Sequence, residues 1–382
     1  MRANSLLCVA VLLLLGMLPV VVKAQFLYTV NDDGTITLTA YTGPPTNAIT
    51  IPATVDDLTV TVIGNNLFNG SSLISVILPE SVGSIGSGAF GGCAWLTNVN
   101  IPASVTNIGN GAFNNCSSLP GVTIAGNGTG IGNSAFAYCS GLTNVTIGNA
   151  VSSIGFQAFE RCSGLTSIAI GNGVTNIGIL AFEFCSGLTN VTIGTGVTSV
   201  GMDVFNGCTS LVEVVMSESI ASIENSAFFN NTGLRNITIP SSVTNIADYA
   251  FGECTNLTGI FFRGNAPANA GSNAFFYDNV ATAYYLPGAT GWQGFAAQTG
   301  VPVLLWNPEA QTSDGSFGVG TNGFGFNITG TANIPIVVEA TSNLSSATWS
   351  VLQSGALTNG SIYFNDRQWT NYPGRFYRIR SP

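Results

Sequence analysis

The chain has 382 residues, of which only 7% are charged and none is histidine, with nine Lys and Arg against 18 Asp and Glu. The missing histidine excludes Ser-His-Asp and Cys-His catalysis and the usual His-containing zinc sites. A formal net charge of −9 excludes nucleic-acid binding, which needs clustered Lys and Arg to displace phosphate counterions, and disfavours anionic lipid surfaces.

Residues 1–24 are expected to be a secretory signal peptide. Arg2 gives a basic start, Leu6 to Val22 an apolar run, and Val22-Lys23-Ala24 the small residues of a cleavage site. A retained membrane anchor is the alternative, but Gly16 and Pro19 interrupt a run already near the short limit for a bilayer. Cleavage after Ala24 would leave seven arginines against 18 acidic residues, a net charge of −11. No later segment is long and apolar enough to span a membrane.

Residues 25–57 are expected to form an N-terminal cap and 58–280 a solenoid. Phe90, Phe113, Phe136, Phe159, Phe182, Phe205, Phe228 and Phe251 recur every 23 residues, and each is followed six residues later by a leucine, Leu96 to Leu257. A fixed short period marks a solenoid. In residues 142–164, Val145 and Ile147 alternate with polar residues as in a half-buried strand, Gly148-Asn149 turns the chain, and Val151 and Ile154 return a second apolar pair. Ala158, Phe159 and Cys162 then have the spacing of one helical or 3₁₀ turn. One coil cannot bury its apolar side chains alone, so stacking is obligatory, with strands about 4.8 Å apart and each Phe on the Phe of the next coil.

The segments IGNSAFAYCSGLTNVTI (131–147), IGFQAFERCSGLTSIAI (154–170) and IGILAFEFCSGLTNVTI (177–193) resemble the BspA-type leucine-rich repeat of secreted and cell-surface proteins. The resemblance covers roughly residues 26–280 and implies a right-handed, β-rich superhelix. It also implies adhesion to extracellular matrix or other cells.

Three residues after seven of the eight Phe stands a cysteine (Cys93, Cys116, Cys139, Cys162, Cys185, Cys208 and Cys254), and after Phe228 stands Asn231. An exported protein invites disulfides, but stacked equivalent positions have parallel Cβ vectors about 4.8 Å apart, whereas a disulfide needs converging Cβ atoms near 3.8 Å. The expected arrangement is a ladder of buried free thiols bonded to turn backbone, a role that Asn can share. Buried thiols are inert by default, so no metal or cofactor is expected.

Residues 281–310 are expected to close the array. Tyr284, Tyr285, Trp292, Phe295 and Trp306 form either a plug over the last coil, which terminal repeats require, or a sugar-stacking platform; the plug is preferred. Residues 311–382 are read as a small all-β module, with runs at 334–340, 348–352, 361–364 and 375–379 after a Gly-rich stretch. The module resembles one that recurs on secreted bacterial proteins.

The candidate binding face is the row of polar strand residues Asn98, Asn100, Asn144, Thr146, Asn190, Thr192, Asn236 and Thr238. Such a flat, uncharged, hydrogen-bonding surface suits an extracellular protein or polysaccharide ligand. The same residues also suit a structural envelope or matrix component with no specific ligand. A third possibility is a two-carboxylate glycan hydrolase built on Glu160 and Glu183, equivalent positions of adjacent coils about 5 Å apart by strand spacing. Arg161 and the turn context favour solvated charges there, so the chain is expected to be no enzyme. Its oligomeric state is left open.

Overall fold

The computed structural model describes residues 25–126, 128–345 and 348–382; the expected signal peptide lies outside them. An antiparallel hairpin, Phe26–Val30 against Ile36–Tyr41, opens the array. Ile36–Tyr41 then pairs in parallel with Leu58–Ile63, so the ladder is parallel from that point onward. Each coil contributes two short strands, for example Asn144–Ile147 and Ser153–Ile154. These lie opposite their equivalents in the next coil, Asn144 against Ser167 and Ser153 against Asn176. The strands stay short because the alternation does: Val145 and Ile147 are buried, Asn144 and Thr146 exposed.

The eight repeating Phe side chains are 0% exposed. From Phe90 to Phe251 successive rings stand 5.1–5.4 Å apart and within 12° of parallel. Offset stacking at this distance suits the ring quadrupole, and each buried ring adds roughly 1.5–3 kcal/mol of transfer free energy. Phe68 and Phe275 extend the column at either end.

The segment around each Phe is a run of turns rather than the expected helical or 3₁₀ turn. The residues two before and two after the Phe have positive φ, as at Gln157 (54°) and Arg161 (56°), or Leu180 (62°) and Phe184 (55°). Left-handed residues twice in five positions cannot continue a right-handed helix. Instead the N–H groups alternate. Ala158 and Glu160 donate within the coil to Gly155 and Gln157, while Phe159 and Arg161 donate to Ala181 and Glu183 of the next coil. The strain of the left-handed residues is therefore held by hydrogen bonds between coils, which a single 23-residue window does not contain.

Close stacking also explains the glycine four residues before the Phe. A Cβ on Gly155 or Gly178 would stand 2.6 or 2.5 Å from backbone carbon of the preceding coil. At Gly201 the nearest atom is 3.4 Å away, and Glu224 and Ala247 fill the equivalent position in the next two coils. The sheet of return strands is interrupted at this place, between Asn176–Ile177 and Ser199–Val200.

All seven described cysteines are free and buried. Each Sγ lies 3.1–3.3 Å from the carbonyl oxygen of the Phe in the coil before, from Cys93 on Phe68 to Cys254 on Phe228. Burial raises the thiol pKa values of Cys93, Cys162, Cys185, Cys208 and Cys254, that of Cys208 to about 12.

Thr282–Tyr285 and Val303–Leu305 extend the parallel sheet beyond the last repeat. Between them the helix Trp292–Thr299 buries Trp292 and Phe295, and Phe295 meets Phe275 edge-on at 6.2 Å. Trp292 and Phe295, with Tyr285 stacked on Trp292 at 5.0 Å, thus close the Phe column. Tyr284 and Trp306 leave that group. They join a second hydrophobic cluster with Phe261, Ile334, Ile336 and Leu357, and Trp306 Nε1 donates to the Pro335 carbonyl at 2.8 Å.

The C-terminal module is antiparallel throughout. Gly323–Thr329 pairs with Glu309–Ala310, Gly318–Gly320 and Ser361–Asp366. Pro335–Thr341 pairs with Ser350–Ala356 and Phe376–Arg380. The Gly-rich stretch therefore contains a hairpin, with Gly318 (φ 137°) and Gly323 (φ 132°) in conformations closed to other residues.

Candidate ligand-binding face

The outward residues of the first strand in each coil form two parallel rows. Gly121, Asn144, Ser167, Asn190 and Glu213 stand in register, as do Thr123, Thr146, Ala169, Thr192 and Val215. Period-two alternation puts every one of them opposite the core, since Val122, Val145, Ile168, Val191 and Val214 between them are buried. Asn144, Thr146, Asn190 and Thr192 are exposed on this single five-stranded sheet.

The other four expected residues lie apart from it. Asn98 belongs to a separate three-stranded sheet with Ala48–Thr50 and Ser75–Ile77. Asn100 is not free for a ligand: its side-chain oxygen accepts from Leu78 N–H at 2.7 Å and its Nδ2 donates to the Leu78 carbonyl at 2.9 Å. The amide thus imitates a backbone ladder bridge. Asn236 and Thr238 are half-buried on a third sheet, whose next strands carry Phe261 and Tyr284 into the C-terminal module. Asn190 is also partly committed, donating to Glu213 Oε2 at 2.8 Å.

The first break in the face has a visible cause. Thr143 N–H donates to the Pro120 carbonyl, and Thr189 N–H to the Thr166 carbonyl. At the equivalent place one coil earlier stands Pro120, which has no N–H for Thr97. The sheet parts between Asn98–Val99 and Gly121–Ile124. A shallow open cavity of about 390 Å³ results, lined by Asn100, Ile101, Gly121, Thr123 and Asn144 among others. The signal for it was in the sequence, as LPGVTI in place of LTNVTI.

Glu160 and Glu183 sit in unlike surroundings. Glu160 is buried (5% exposed), contrary to the expectation of a solvated charge. Its Oε1 takes Arg161 Nε at 3.2 Å and the Tyr138 hydroxyl at 3.3 Å. The Arg161 guanidinium lies 4.5 Å over the Phe184 ring. Burial, aided by Glu160 and Asp203 and opposed by Arg161, pushes the Glu183 carboxyl up to about 6. Among the described residues no group of three or more Cys, Asp or Glu could hold a metal ion, and no helix is long and apolar enough to cross a membrane.

Comparison with known proteins agrees with this architecture. Residues 61–189 and 175–290 match the family model of the BspA type leucine rich repeat region, in six copies. Among solved structures, a leucine rich cell surface protein of Faecalibacterium prausnitzii is 25% identical, covering 72% of this chain and 96% of that one at a TM-score of 0.37. The leucine rich repeat protein of T. pallidum is 25% identical, covering 61% and 88% at 0.40. One from Bacteroides ovatus is 23% identical, covering 74% and 98% at 0.31. No curated protein matches. With the matched segments spanning more than half of its length, the chain belongs to the BspA-type leucine-rich repeat family.

Proposed function

We propose that this is an exported, non-catalytic binding protein that holds an extended protein or glycan partner against the five-stranded face of residues 121–216. The carrying observation is two exposed, in-register rows, Asn144 followed by Ser167 in one and Thr146, Ala169 and Thr192 in the other, with small Gly121 before Asn144. Small residues let a flat ligand approach the sheet, and the amide and hydroxyl groups satisfy its polar atoms without the desolvation cost of charges. The open cavity beside Pro120 gives that face an end where a side group can lodge. The C-terminal module covers the opposite end, which limits a linear ligand to the middle coils.

A second reading, a structural envelope component, is favoured by the polar side chains that are spent on neighbouring coils, as at Asn100 and Asn190. A solid-phase screen of the mature chain against matrix proteins, polysaccharides and whole cells separates the two. Ligand capture that falls about tenfold or more in the double variant Thr146→Arg, Thr192→Arg, about 1.4 kcal/mol, supports the binding role. Capture unchanged by those substitutions moves the site elsewhere, and no capture at all favours the structural role.

A further inference from the structure

The C-terminal module has an opening that the strand-face reading does not use. A cavity of about 580 Å³ lies where Gly318–Gly320 and Phe376–Arg380 approach from different sheets, and its walls include Phe317, Phe324, Trp369 and Tyr377. Two rim side chains stand well out, Phe317 at 47% and Val319 at 63% exposure. Phe376–Arg380 ends its sheet, pairing among the described residues only with Pro335–Thr341. An unpaired edge beside an apolar cavity is the arrangement that accepts an added strand, whose backbone bonds to the edge and whose side chain fills the cavity.

The cavity has one charged side chain, and the module itself pairs it. Arg375 is 92% buried as a side chain, the remaining 8% being exposed, and its Nη1 lies 2.7 Å from Asp366 Oδ2. The guanidinium also lies 4.2 Å over the Tyr372 ring, so the one charge of the cavity is balanced within the module. A sugar would fit poorly, because so apolar a lining leaves most hydroxyls without partners.

The other end of the molecule supplies a matching strand. Among the described residues Phe26–Val30 pairs only with Ile36–Tyr41. It exposes Leu27 (57%) and Val30 (60%) and leads directly into Asp32 and Asp33. Residues 25–57 contain four acidic residues and no Lys or Arg, whereas residues 311–382 contain four arginines against three acidic residues. The two ends are complementary in exposed apolar side chains and in free strand edge, and opposite in net charge, although Arg375, Arg378 and Arg380 already pair with Asp366 and Glu339.

We propose that chains associate head to tail, the Phe26–Val30 strand of one copy adding to the Phe376–Arg380 edge of the next. Leu27 or Val30 enters the aromatic cavity, and the acidic turn at Asp32 and Asp33 faces a module of opposite net charge. The contact joins different surfaces of two copies, so it builds a ring where its rotation closes and an open filament where it does not.

The test uses the mature chain, residues 25–382, and a labelled peptide of residues 25–33. Sedimentation velocity should show association that grows with protein concentration and weakens as salt screens the charged ends. The peptide should bind the intact chain, and Phe317→Asp should weaken that binding about tenfold or more while leaving the melting temperature unchanged. Val30→Asp should abolish self-association yet leave the cavity able to bind the wild-type peptide, so it remains informative if Phe317→Asp fails to fold. The proposal is overturned if the chain stays monomeric at every concentration. It is equally overturned by a peptide that does not bind, by binding that ignores Phe317→Asp, or by oligomers that persist in Val30→Asp.

Discussion

Asn231 Nδ2 lies 2.9 Å from the Phe205 carbonyl oxygen, in the place where every neighbouring coil has a cysteine Sγ. What the position needs is a small buried donor for the second lone pair of a carbonyl whose other bond, from the Cys208 N–H, is long at 3.5 Å; sulfur as such is incidental. Asn231→Cys should therefore fold normally and stay within about 1 kcal/mol of wild type. Cys162→Ala should cost about 0.5–1.5 kcal/mol by removing one of the two hydrogen bonds to the Phe136 carbonyl, which keeps the Cys139 N–H at 3.3 Å. Chemical denaturation of both variants checks this, and equal stability of Cys162→Ala would contradict it.

The same ladder predicts thiol behaviour. The native chain should resist alkylation near neutral pH, because the thiols are buried and burial raises those of Cys162, Cys185 and Cys208. The unfolded, unreduced mature chain should titrate seven thiols, the number that the structure leaves free. Recovery of one or none would mean disulfides.

Asp278 stands three residues after Phe275, where the ladder would place its next donor. It is 6% exposed, and neither carboxylate oxygen has a hydrogen-bond partner. Burial pushes its pKa from 3.8 to about 7. A raised folded pKa means that the folded state holds the proton more tightly than the unfolded one. The stabilisation is full below about pH 4 and is lost as pH rises through about 7, with a slope of at most about 1.4 kcal/mol per pH unit. Asp278→Asn should remove that slope and raise the melting temperature at pH 8. A pH profile identical to wild type would refute the assignment.

Two glycines at equivalent positions should respond differently to one added methyl group. Gly178→Ala places Cβ 2.5 Å from backbone carbon, whereas at Gly201 the nearest atom is 3.4 Å away. Gly178→Ala should destabilise by several kcal/mol through separation of adjacent coils. Gly201→Ala should be neutral or stabilising by about 0.4–1 kcal/mol, since it restricts only the unfolded chain. Thermal melts of the pair decide the matter; similar losses would mean that close stacking is not the reason for the glycine.

Restoring a threonine at Pro120 should mend the first sheet break. Pro120→Thr supplies the N–H that Thr97 lacks, so hydrogen exchange at residues 120–122 should slow and the open cavity beside Gly121 should narrow. Exchange as fast as in wild type would mean that another feature parts the strands.

Register was legible in the chain because it depends on a local rule repeated many times. Phe159, Leu165, Cys162 and Val145 each have the same neighbours one coil away, so one 23-residue window predicts its own environment. The thiol ladder followed from the same rule, whereas the closing group lost Tyr284 and Trp306 to the C-terminal module. The binding face was legible only in part. Thr146 and Thr192 point outward as alternation requires, but Asn100 and Asn190 look identical to them in sequence and are taken up by Leu78 and Glu213.

By itself the sequence determined the period, the stacked interior and the absence of histidine chemistry, because each depends on residue type and spacing alone. Only the tertiary structure decided where the face is interrupted, that Glu160 is buried, and that Phe261 and Tyr284 lie beneath the C-terminal module. Those outcomes depend on contacts between coils and on the docking of a second module, whose strands share no period with the repeats and so leave no trace in the pattern of any single coil.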